Sequence, residues 1–84
     1  MYEWTSEAAA RLAATIGDDA AAYGLTESDV QALLDLARLA ARESGVKSNA
    51  PLVCYLVGLA HGRHPDRRLD ELVARATRAP EGSP

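Results

Sequence analysis

Phenylalanine is absent from this chain of 84 residues, and tryptophan, cysteine and methionine occur once each. The single Cys54 excludes an intramolecular disulfide framework and fits a reducing compartment. The opening stretch MYEWTSE has neither the basic nor the apolar region of a secretion signal, so a cytoplasmic protein is expected. The longest nearly unbroken apolar run, Ala50 to Ala60, is about half of what a bilayer crossing requires, which argues against a membrane partner. Basic charge is scarce too: nine Lys and Arg stand against twelve Asp and Glu, a net charge of −3. A general nucleic-acid binder usually carries a strongly basic domain, so nucleic acid is not an expected partner.

Apolar residues make up 48% of the chain, but 17 of those 40 are Ala, leaving 23 larger side chains for a core. A chain of this size buries only about 60% of its unfolded surface, so the core is thin and dimerisation or docking on a larger partner is expected. The charge is also unevenly spread. Residues 1–45 hold eight acids and three bases, and residues 46–84 hold six bases and four acids, giving −5 and +2.

Ala, Leu, Arg and Glu dominate, β-branched residues are few, and most Gly and Pro punctuate periodic segments, which indicates helices. The expected fold is all-α: a compact four-helix bundle-like domain over residues 1–79 with an apolar central third helix. A first helix over 3–16 carries Trp4, Ala8, Leu12 and Ile16 at i+4 spacing, with Trp4 as its largest anchor, and closes at Gly17. Residues 18–25 read either as a short turn of helix ending at Gly24 or as a loop that packs Tyr23 and Leu25. Thr26, three residues before Asp29, signals a capped start for a second helix over 27–44. Its apolar face is read as Val30, Leu33, Leu34, Ala37, Leu39, Ala40 and Ala41, with Gly45 following its end.

Asn49 or Ala50 caps the third helix, 50–61, with Pro51 in its first turn and Gly62 as its C-cap. The run Leu52-Val53-Cys54-Tyr55-Leu56-Val57-Gly58-Leu59-Ala60 is apolar all round, so this helix is either central or has one face against another molecule. The fourth helix, 66–78, points Leu69, Leu72, Val73 and Ala76 inward, and residues 80–84 are expected to be a disordered tail.

Chemistry-bearing patterns are sparse. Glycine-rich phosphate loops, nucleophile elbows and zinc quartets are missing, so no enzyme is expected. Cys54 and His61 share a helix face and His64 lies close in sequence, but no fourth ligand is evident and a buried Cys usually acts as a small hydrophobe. Neither a metal nor a cofactor is therefore expected. Arg63, His64, Arg67 and Arg68 concentrate positive charge ahead of a helix start, a candidate anion site for a pterin or nucleotide whose bland counterpart is a solubilised turn. A weak DNA-associated regulator is a further alternative. Helix four offers Arg67, Arg75 and Arg78 to phosphates but lacks Gln, Asn and Ser base readers, and helix three is too apolar for a major groove. Trp4, Val53 and Tyr55 form the candidate interaction surface, for a homodimer or another protein.

Three segments carry a resemblance: Glu3-Trp4, Leu33-Leu34-Asp35-Leu36-Ala37-Arg38, and the run from Ala50-Pro51-Leu52 through Leu56-Val57-Gly58 to His61-Gly62. Across residues 3–75 the chain resembles a family of small bacterial helical domains of unknown function, found alone or appended to the molybdenum cofactor guanylyltransferase (molybdopterin-guanine dinucleotide biosynthesis protein A). The last segment is the most specific. Thr5-Ser6-Glu7 and the Ala-rich stretch 18–23 depart from that pattern, and both bear on how the first helix meets its neighbours. The resemblance implies an accessory or protein-interaction domain near molybdenum-cofactor biosynthesis, with that guanylyltransferase or a related protein as the partner. It brings no catalytic residues.

Overall fold

The computed structural model describes residues 2–77. Its fold is all-α, with helices α1 (Glu3–Ile16), α2 (Glu27–Ser44), α3 (Asn49–Arg63) and α4 (Leu69–Ala76), and a 3-10 helix over Ala20–Tyr23. No strand occurs among the described residues. The tail expected to be disordered, 80–84, lies outside them, as does Arg78.

The ends of α1 and α2 follow local chemistry. Gly17 and Gly45 both adopt the left-handed conformation, with φ of 77° and 73°, where a Cβ would be strained. At the start of α2 the Asp29 N–H donates to Thr26 Oγ1 and the Thr26 N–H donates to Asp29 Oδ2, each at 3.0 Å, a complete capping box. The ambiguous segment resolves as the 3-10 helix, capped by Asp19, whose side chain accepts from the Ala21 N–H.

Three expectations about helix ends are corrected: α3 starts at Asn49, inside the helix, with Ser48 as its N-cap and no side-chain capping bond, rather than being capped by Asn49 or Ala50. Gly62 is not a C-cap: α3 runs through it to Arg63, and the His64 N–H closes the helix on the Ala60 carbonyl at 3.0 Å. The fourth helix begins at Leu69 rather than 66, because Pro65 sits in a turn that the Arg67 N–H closes on the His64 carbonyl at 2.9 Å. Proline's fixed φ suits the second position of such a turn as well as it suits a first helical turn.

Helices α2, α3 and α4 all pack on one another. Leu36 and Ala40 of α2 and Val57 of α3 are buried in this core, and Leu36 is fully enclosed. The α2 row facing inward is Leu33, Leu36, Ala37 and Ala40, at i, i+3, i+4 and i+7. Leu34, placed on the inner face by the sequence pattern, is half exposed, and Leu36, left out of it, is the centre. Cys54 joins α3 to α2, its Sγ 3.9 Å from the Leu33 carbonyl. Burial pushes its thiol pKa up, away from a reactive thiolate.

Helix α1 stands apart. It packs on the 3-10 helix, and no Cα of α1 comes within 8 Å of a Cα in α2, α3 or α4. Its one buried residue is Ala13. The Tyr23 hydroxyl donates to Asp18 Oδ2 at 2.5 Å, and that bond raises the Tyr23 pKa.

Candidate functional site

The apolar surplus of α3 divides into two faces. Val53, Cys54, Val57 and Ala60 are buried or half-buried towards the core, and Leu52, Tyr55, Leu56 and Leu59 are exposed, Tyr55 at 67% and Leu52 at 61%. These four recur at i, i+3, i+4 and i+7, the spacing of a single helix face. Consecutive large apolar side chains along one uncovered face differ from the scattered single hydrophobes that any surface shows. No charged residue lies between Leu52 and Leu59; Arg63 follows one turn on.

Val53 is the correction here. It sits about 200° around the helix from Tyr55 at 100° per residue, half-buried in a hollow of about 280 Å³ that Ala40 and Ala76 also line. Tyr55 therefore shares its face with leucines, whose alternation with the core-facing residues is the signal that could have found them. Trp4 is 72% exposed on α1, with the Arg11 guanidinium 5.7 Å from its ring centroid. It is not the inward anchor that the i+4 stripe suggested, because the 3-10 helix covers the Ala9–Ala13 side of α1 instead.

The basic segment has a different character. Arg63 ends α3, His64 caps it, and Arg67 and Arg68 flank the start of α4. Arg68 donates to both oxygens of Asp70 at 3.1 and 2.8 Å, and Arg67 lies 3.4 Å from Glu71. With Asp66, three acids offset three arginines over residues 63–71. Arg68 holds the Asp70 carboxyl below its usual value near 3.8, chiefly through this hydrogen bonding. Asp70 therefore loses its proton more readily folded than unfolded. Its contribution to stability is present above the unfolded value and disappears as pH falls through the lower folded one. In Arg68→Ala the Asp70 midpoint, followed by NMR titration, is expected to rise towards the ordinary value, with a shallower acid limb in thermal melts.

A cleft of about 640 Å³ opens between α1, the 3-10 helix and the first turn of α2, with Tyr2, Ser6, Tyr23, Leu25 and Val30 among its walls. Sequence patterning gave no indication of it, because it exists only through the stand-off of α1. Among the described residues no group of three or more His, Cys, Asp or Glu converges as for a metal, and no helix is long and apolar enough to cross a membrane.

Residues 1–83 match the family described as Domain of unknown function (DUF6457). The chain belongs to that family. No curated protein and no solved structure gives a match. For this DUF6457 domain, the functional reading accordingly rests on its surfaces, foremost the outer face of α3.

Proposed function

We propose that this DUF6457 domain is a non-enzymatic protein-interaction module, accessory to molybdenum-cofactor maturation in the cytoplasm. The observation that carries the reading is the uncovered row Leu52, Tyr55, Leu56 and Leu59 on α3. An aromatic among leucines on a firm helix is a common anchor in helix-mediated recognition. The resemblance to domains appended to the molybdenum cofactor guanylyltransferase supplies the partner: a domain sometimes fused to an enzyme is suited to dock on that enzyme when separate. The anion-site alternative gains no support from a segment in which Arg67 and Arg68 already hold Glu71 and Asp70.

Purified molybdenum cofactor guanylyltransferase, titrated onto the immobilised domain, tests this. The parent is expected to bind, and Tyr55→Asp to weaken binding at least tenfold while melting like the parent, since the side chain lies outside the core. No binding by the parent, or equal binding by the variant, would overturn the proposal.

A further inference from the structure

A second apolar row lies on α1. Trp4, Ala8, Leu12 and Ile16 follow one another at i+4, with Trp4, Leu12 and Ile16 exposed at 72%, 60% and 63%. Among the described elements α1 reaches only the 3-10 helix, and its buried residue, Ala13, lies about 100° around the helix from Leu12. We propose that this row is a self-association surface, packed antiparallel against α1 of a second copy.

Three features of the row select that occupant. The first is steric self-complementarity. The row is centred on position 10, so antiparallel pairing about a two-fold axis sets Trp4 against Ile16 of the second copy and the small Ala8 against the large Leu12. An i, i+4 row is also the ridge that interdigitates in the commonest helix–helix packing. The second is charge. Glu7 and Arg11 flank the row on the same side, one turn apart, and in the antiparallel dimer each Glu7 lies within about 3 Å, along the axis, of the other copy's Arg11. A parallel two-fold pair would carry the two charged flanks to opposite sides of the seam, where no Glu7–Arg11 pair between copies forms. The outer face of α3, the other uncovered row, has no charge from Leu52 to Leu59 and so specifies neither direction nor register for α1. The third is the Arg11 guanidinium, which occupies one face of the Trp4 ring and leaves the other for an apolar neighbour.

Area sets the strength. The three large side chains present roughly 400 Å² per copy, about 800 Å² for the pair, below the ~1,200 Å² at which stable interfaces begin. The dimer is therefore weak and follows concentration. It uses α1 and leaves both α3 faces open, so it stands independently of the partner proposed above.

Sedimentation of the full chain, with the fluorescence of its single tryptophan, tests the inference. The mass is expected to rise from 8.9 kDa towards twice that value between about 10 μM and 1 mM, with Trp4 emission moving to shorter wavelength along the same curve. Leu12→Glu is expected to remain monomeric throughout, with unchanged helical circular dichroism, and Tyr55→Asp to dimerise like the parent. Should Leu12→Glu lose helix, Glu7→Arg replaces it: association is expected to weaken several-fold in that variant and to return in the Glu7→Arg, Arg11→Glu double variant. A parent that stays monomeric, a dimer that survives both Leu12→Glu and Glu7→Arg, or one lost in Tyr55→Asp would each overturn the inference.

Discussion

Leu36→Ala is expected to cost about 2–5 kcal/mol, the range for a buried leucine whose surroundings relax only in part. Leu36 has 0% exposure and is the only large side chain fully enclosed among the described residues. It lies where α2 meets α3 and α4, so few other contacts compensate for its loss. In a domain of this size each kcal/mol lowers the melting temperature by about 4–8 °C, so a drop of about 8 °C or more is expected. Leu34→Ala is the control: Leu34 belongs to the same helix but is half exposed, and its truncation should cost about 1 kcal/mol or less. Circular-dichroism melts of the two variants read the difference. Equal losses would mean that α2 presents a different face to its neighbours.

Thr26→Ala is expected to cost about 1–2 kcal/mol, the upper part of the range for an N-cap, because both bonds of the box depend on the geometry that Thr26 holds. The substitution removes the acceptor of the Asp29 N–H and loosens the return bond from the Thr26 N–H to Asp29. Asp29 keeps its favourable place in the positive first turn, which limits the damage. Thr26→Ser preserves the hydroxyl and is expected to melt within about 1 kcal/mol of the parent. A Thr26→Ala protein that melts like Thr26→Ser would show that the cap contributes little to α2.

What could be read from the residues, and what could not, follows the range of the forces involved. The limits of α1 and α2 depend on neighbours within four positions: a left-handed Gly17, a left-handed Gly45 and the Thr26–Asp29 box. These were legible. Pro65 was locally ambiguous, since the same φ serves a β-turn and a helix start, and only the bond between Arg67 and His64 separates them. Periodicity could show that α3 has more apolar surface than one contact covers, but not which half turns inward. That choice belongs to α2 and α4, and it moved Val53 away from Tyr55. Leu36 was not legible for a related reason: with leucine or alanine at most positions from Ala32 to Ala41, several faces of α2 look apolar. Trp4 depended on the 3-10 helix, whose four residues decide which side of α1 is covered.

The two outward rows differ in what they can specify. The α1 row carries a charged flank and a small-to-large alternation, on which its proposed pairing with a second copy rests. The α3 row is an uncharged apolar strip, and a partner must supply both the direction and the polar rim of the contact.

Amide hydrogen exchange of the domain, alone and with purified molybdenum cofactor guanylyltransferase, both detects the proposed contact and locates it on the chain. Added protection is expected over residues 52–63 of α3, with α1 unchanged at concentrations where the domain is monomeric. Protection confined to the cleft beside Tyr2 or to Arg63–Glu71, with none over 52–59, would contradict the proposal.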